Sequence, residues 1–296
     1  MRPVLFGLVG MVLFFPTQLS SQDAWALRPG GPPIPEGTEA GYLRVGPDSL
    51  FYEVMGQGPI LVMVHDGLIH REVWENQFPV FAQEYRVVRY DRRGYGASPV
   101  ASAPFSDVED LAALFQHLEI ETATLMGMSS GGQLTIDFTL AQPDRVEAMV
   151  LVGAVVRGLS YTQHMLTRGG RMSSDFSDEE ILAYIFSEDP YEIYRENRNA
   201  SQRLVELGAR GYRPGEREFT SGFTGTPSVE RLGELQVPTL ILAGEFDIPD
   251  VHAHAGAIHA GIRGSRREII SDSGHLIPLE QPEAFNRVVL EFLRGG

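Results

Sequence analysis

An α/β fold, with a mostly parallel central sheet, helices on both faces and an inserted helical cap, is predicted by three observations. Short apolar runs recur without polar alternation, as at Ile60–Val64, Ala123–Met128 and Thr239–Ala243, which is how strands buried on both faces read. Segments with helical spacing separate them. Between these alternating elements, residues 158–236 carry no convincing strand, and so long a stretch is more naturally helical than a loop.

The elements follow in order. Tyr42–Val45 and Leu50–Met55 read as two strands joined by a turn at Gly46-Pro47-Asp48. Ile60–Val64 is the third strand, and Val73–Tyr85 has helical spacing through Trp74, Phe78 and Phe81, which are expected in the core. Val87–Tyr90 is a strand, and a helix over Val108–Leu118 is entered through Ser106-Asp107. Ala123–Met128 is a strand followed by a helix over Gln133–Ala141. Ala148–Val152, Thr239–Ala243 and Glu268–Ile270 complete the sheet, and a helix from Pro282 to Arg294 closes the chain. Within 158–236, helical patterns occur at Tyr161–Leu166, Asp178–Phe186 and Glu192–Leu207, the second entered by Ser177 with Glu180 at capping-box spacing. The core domain is therefore read as 38–157 plus 237–296, with 158–236 as the cap.

The N-terminus reads differently. Arg2 precedes an apolar stretch from Val4 to Phe15, and a small-x-small site follows at Ala24-Trp25-Ala26. That pattern is a secretory signal peptide over 1–26, and the stretch is shorter than the roughly 20 apolar residues a membrane-spanning helix needs. Export to the periplasm or outside the cell, with no membrane span in the mature chain, is the expectation. Residues 27–37, rich in Pro and Gly, read as a linker.

Composition narrows the function. A formal net charge of −15 argues against nucleic-acid binding, which needs a basic surface. The absence of cysteine removes disulfides, thiol nucleophiles and thiolate metal sites. His252, His254 and His259 lie close in sequence, but the first two do not share a helix face, so no metal site is expected. Nothing assigns an oligomeric state.

The chemistry concentrates at Gly127-Met128-Ser129-Ser130-Gly131. Gly-x-Ser-x-Gly between a strand and a helix can hold a serine hydroxyl exposed on a sharp corner. A serine needs a base, and the base an orienting acid. His275 lies in Ser273-Gly274-His275, and Asp247 follows the strand at 239–243, with Glu245 and Asp250 as nearby alternatives for the acid. Asp272 is read as a loop residue. The order Ser, Asp, His suits this turn.

Together with His65-Asp66-Gly67 and Asp91-Arg92-Arg93-Gly94-Tyr95-Gly96-Ala97-Ser98, these segments resemble the α/β-hydrolase family from about residue 38 onward, and locally its serine esterase and enol-lactonase branch. The resemblance implies catalysis by Ser129, Asp247 and His275 without a cofactor. It places the oxyanion-hole N–H donors on Gly67 and Ser130. The expected substrate is a small or medium carboxylic ester or lactone, cleaved through an acyl-enzyme. Carbon–carbon bond hydrolysis, cofactor-free perhydrolysis and a non-catalytic binding role are the alternatives. Asp66 stands where the family usually has glycine, and reads either as a loop-holding or as a substrate-touching residue. His65 and Asp91 are read as loop-fixing groups, and Arg92 and Arg93 as salt-bridging.

Overall fold

The computed structural model describes residues 35–167, 180, 191–194, 196–211 and 225–295. The expected signal peptide, residues 27–34 of the linker and most of the Asp178–Phe186 helix lie outside the described residues.

Eight strands form one sheet: β1 (Glu39–Val45), β2 (Asp48–Met55), β3 (Ile60–Val64), β4 (Arg86–Tyr90), β5 (Ala123–Met128), β6 (Val146–Val152), β7 (Thr239–Gly244) and β8 (Arg266–Ile270). Their order is β1-β2-β4-β3-β5-β6-β7-β8. The first two pairings are antiparallel and the remaining five parallel. Val45 pairs with Asp48, so Gly46 and Pro47 form a two-residue hairpin turn. Gly46 takes φ +61° there, a conformation that costs glycine little.

The helices are α1 (Phe78–Phe81), α2 (Asp107–His117), α3 (Ser130–Ala141), α4 (Gln163–Thr167), α5 (Arg198–Gly211), α6 (Ser228–Arg231), α7 (Pro249–Gly261), α8 (Ile277–Glu280) and α9 (Pro282–Leu293). Successive strand residues face opposite sides, and the core divides accordingly. Val62, Val88, Leu125, Leu151 and Ile241 pack on one face with Leu114, Phe115, Phe138 and Ile258 from α2, α3 and α7. Met63, Val87, Met126, Val152 and Leu242 pack on the other with Trp74, Phe81, Leu204 and Phe285. Helices on both faces, the reading made from apolar runs, are what the structure shows.

Several boundaries differ for identifiable reasons. The single helix expected over Val73–Tyr85 is a 3-10 turn at Arg71–Trp74 followed by α1. Pro79 near the start of α1 lacks an N–H and would clash with the carbonyl four residues back in a continuous helix. Trp74, Phe78 and Phe81 are nonetheless fully buried. Helix α3 begins at Ser130 rather than Gln133, because Gly131 and Gly132, poor helix formers, are there for close packing. The helix expected over Glu192–Leu207 starts later, at Arg198, with Asn197 Oδ1 accepting the Ala200 N–H at 3.1 Å as an N-cap. Tyr191 and Glu192 instead pair by backbone with the loop after β8.

Candidate active site

The corner between β5 and α3 is where local sequence and tertiary packing meet. Ser129 takes φ 53° and ψ −116°, a strained conformation for a residue with a Cβ, costing on the order of 1–3 kcal/mol. Neighbouring backbone holds it there: Ser129 N–H donates to Val152 O at 2.9 Å, and Ser129 O accepts from Gln133 N–H at 3.1 Å and Val155 N–H at 3.3 Å. The flanking glycines make the corner possible. A Cβ on Gly127 would lie 2.4 Å from Gly131 O, and one on Gly131 2.3 Å from His65 O. The motif is thus a steric requirement of packing α3 against β3.

Beyond β7, the turn carrying Asp247 packs against the loop carrying His275. Phe246 N–H donates to Ser273 O at 2.9 Å, and a Cβ on Gly244 would lie 1.9 Å from Gly274 O. Asp247 Oδ1 meets His275 Nδ1 at 2.9 Å and also accepts the Ile248 N–H at 2.7 Å. The other candidate acids are engaged elsewhere. Asp250 accepts the Thr162 N–H at 2.6 Å and its hydroxyl at 2.7 Å, while Glu245 accepts the Asp272 N–H at 3.2 Å. Asp272, at φ 54°, stays in its loop. With Nδ1 donating to Asp247, the neutral His275 ring presents Nε2 as its acceptor. Burial disfavours the imidazolium, but Asp247, followed by Glu192 and Asp66, overrides it and pushes the His275 pKa up to about 9.

Gly153, just past β6, links the corner to this pair. It follows Val152, whose carbonyl holds Ser129, and a Cβ there would lie 2.9 Å from His275 Cε1 and 3.3 Å from Asp247 Oδ2. Its φ is +51°, so a side chain would be strained as well as crowded. Gly153→Ala is expected to displace the imidazole and reduce kcat/KM by about 10²-fold, the effect typical of an ångström-scale misplacement. Steady-state kinetics beside a thermal melt checks this.

The sequence reading missed Gly153 and also Glu280. The Glu280 carboxylate accepts the Gly274 N–H at 2.8 Å and the Tyr194 N–H at 2.5 Å. It therefore ties the His275 loop to residues 191–194, where His275 N–H also donates to Tyr191 O at 2.9 Å and Leu276 N–H to Glu192 O at 3.1 Å. Burial, with Asp247 nearby, pushes the Glu280 pKa up to about 7, against those backbone donors. Its five-residue spacing from His275 in the sequence was the available signal.

Opposite Ser129 lies the loop after β3. A Cβ on Gly67 would be 3.0 Å from Ser130 Oγ, so the two expected oxyanion-hole residues are neighbours. Ser130 opens α3, where a helix leaves its first N–H groups without intrahelical partners. The Leu68 N–H, one residue beyond Gly67, is taken by Asp66 Oδ1. His65, whose Nε2 accepts the Arg92 N–H at 3.0 Å and whose Nδ1 meets Asp66 O at 2.7 Å, holds the loop, as read from sequence. Asp91 does likewise, accepting N–H groups of Arg71 at 3.0 Å and Ala97 at 2.8 Å. Arg92 pairs with Asp107 at 3.2 Å and donates to Ser130 Oγ at 2.9 Å; Arg93 pairs with Asp110 at 2.6 Å and Asp48 at 2.5 Å. His254 Nδ1 accepts the Val156 N–H at 2.9 Å. Among the described residues, no group of three or more His, Cys, Asp or Glu side chains is placed to hold a metal ion.

Comparison with known proteins agrees with this architecture. Residues 61–288 match the model of the alpha/beta hydrolase family. The chain is 28% identical over 276 residues to carboxylesterase YbfK of Bacillus subtilis, spanning 88% of this chain and 90% of that protein. It is also 28% identical over 289 residues to the 2-hydroxy-6-oxononadienedioate/2-hydroxy-6-oxononatrienedioate hydrolase of Paraburkholderia xenovorans, spanning 88% and 97%. Among solved structures, the enol-lactonase of Burkholderia xenovorans superposes with a TM-score of 0.72 at 20% identity, over 86% of this chain and 99% of that one. With the matched region running from β3 into α9, this chain belongs to the alpha/beta hydrolase family.

Proposed function

We propose that this protein is an exported serine hydrolase that cleaves small or medium carboxylic esters or lactones. The observation that carries the reading is the 2.9 Å contact between Asp247 Oδ1 and His275 Nδ1, packed against Gly153, the residue after the Val152 carbonyl that holds the Ser129 corner. In the proposed reaction His275 Nε2 takes the Ser129 proton as Oγ bonds to the carbonyl carbon. The tetrahedral oxyanion is held by the Gly67 and Ser130 N–H groups, each such donor typically contributing about 3–4 kcal/mol to the transition state. As the C–O bond breaks, the imidazolium protonates the leaving alkoxide. Water then repeats the sequence on the acyl-enzyme, with His275 again taking and returning a proton. The charge of Asp247 stabilises the imidazolium in both halves.

Residues 158–236 are proposed to cap this site. Support comes from Tyr191 and Glu192, whose carbonyls bind the His275 loop, and from Thr162, gripped by Asp250 at the start of α7. Export rests on the pattern at 1–26. Among the described residues no helix is long and apolar enough to cross a membrane.

The relatives that are carbon–carbon bond hydrolases favour a second reading on the same residues. Labelling by a fluorophosphonate probe, lost in Ser129→Ala, followed by a panel of 4-nitrophenyl esters, lactones and vinylogous diketones, separates the readings. Turnover of diketones alone would replace the ester assignment, and an unlabelled folded protein would refute a serine nucleophile.

The reaction needs His275 neutral in the free enzyme. Because its folded pKa is raised, the neutral fraction grows with pH and reaches one half only well above the usual value of about 6.5. kcat/KM is therefore expected to fall about tenfold per pH unit on the acid side of a limb lying above that value. A pH–rate profile with its acid midpoint at or below the usual value would contradict the Asp247 contribution.

A further inference from the structure

The loop that holds Gly67 contains a group with no task in the reaction described above. Asp66 is 1% exposed. Its Oδ1 accepts the N–H groups of Leu68 and Ile69, the second at 2.9 Å, and this fully accounts for a loop-holding role. Its Oδ2 is buried as well and has no hydrogen-bond partner in the protein. Arg92 does not neutralise it, since it pairs with Asp107 at 3.2 Å and donates to the backbone carbonyl of Asp66 at 3.4 Å. An orphaned, desolvated carboxylate oxygen is costly, and loop holding by Oδ1 alone does not require it.

Its position suggests what occupies it. Asp66 immediately precedes Gly67, which lies against Ser130, so it belongs to the same loop as the proposed oxyanion hole. Its negative charge is also felt at the His275 ring, together with those of Asp247 and Glu192. Carboxylates whose charge reaches the His275 ring disfavour an anionic substrate group beside it and favour a hydrogen-bond donor.

We infer that Asp66 Oδ2 accepts a hydrogen bond from a hydroxyl group on the acyl part of the substrate, two or three bonds from the scissile carbonyl, making Asp66 a specificity-determining residue for hydroxyacyl esters and hydroxylactones. The inference rests on the ester-hydrolase reading and adds the substrate class. A hydrogen bond to a buried charged acceptor discriminates by about tenfold or more against a partner that lacks the donor.

The test compares 4-nitrophenyl 3-hydroxybutyrate, 4-nitrophenyl butyrate and mono-4-nitrophenyl succinate. Wild type is expected to prefer the hydroxyl ester over the plain ester by about tenfold or more in kcat/KM, and to disfavour the succinate. Asp66→Asn keeps an amide oxygen for Leu68 and Ile69 but replaces the charged acceptor with a neutral N–H donor, which the substrate hydroxyl can meet only by accepting, and is expected to lower the hydroxyl preference several-fold. A wild-type ratio near one, or a ratio unchanged in Asp66→Asn, overturns the inference; if that variant does not fold, the wild-type ratio alone decides. Binding of methyl 3-hydroxybutyrate and methyl butyrate to Ser129→Ala separates this from the catalytic reading. Without any turnover by wild type, tighter binding of the hydroxyl ester keeps the Asp66 site while acyl transfer falls. Equal binding removes the site.

Discussion

Ser129→Ala is expected to lower kcat/KM on esters by about 10⁴–10⁶-fold, since removing the nucleophile of such a constellation leaves only the oxyanion hole and binding to assist water. The folded state should survive. The residue is held by its backbone, through Val152, Gln133 and Val155, and alanine loses no more than a half-buried hydroxyl. Its positive φ of 53° is the feature that makes the test informative. A side chain kept in a strained conformation at little structural benefit is explained by exposure of its oxygen. Kinetics, fluorophosphonate labelling and a thermal melt measure the three parts separately. Turnover equal to wild type in a folded Ser129→Ala protein would remove the mechanism.

The second large effect is expected at Asp247. In Asp247→Asn the amide oxygen can still accept from His275 Nδ1 and from the Ile248 N–H, both now bound to Oδ1, so ring orientation is largely preserved and charge is what is lost. The imidazolium formed in each half-reaction then lacks its counter-charge. A fall in kcat of about 10²–10⁴-fold is expected, accompanied by a downward move of the acid limb toward the ordinary histidine value. Asp250→Asn is the control. Its carboxylate grips Thr162, so kcat should change by no more than about threefold, within the range of an indirect effect. A large loss at Asp250 with little at Asp247 would reverse the assignment of the acid.

Much of this molecule could be read from residues in order. The apolar runs that became β3, β5, β6 and β7 are buried because parallel strands covered on both faces must be apolar throughout. Gly127, Ser129 and Gly131 form a local motif whose spacing is imposed by one tight corner, so it is visible in one dimension. His275 was legible for the same reason, in its Ser-Gly-His loop. Where neighbours distant in sequence decide, legibility ends. Val73–Tyr85 has the periodicity of one helix, but Pro79 and the packing of Trp74 against Phe285, with ring centroids 6.2 Å apart, divide it. Glu192–Leu207 looks helical at its start, but Tyr191 and Glu192 pair with the His275 loop instead.

The chain's own pattern of apolar runs, glycines and one serine, one histidine and a choice of acids determined the fold class and the hydrolase family, because those signals are short-range and steric. Tertiary structure alone decided which carboxylate meets His275, why residue 153 must be glycine, and that Glu280 secures the histidine loop. It also left one oxygen of Asp66 buried without a protein partner. Each of these depends on separations of a few ångströms between loops that are tens of residues apart in the chain, and hydrogen-bond and Coulomb energies change steeply over such distances.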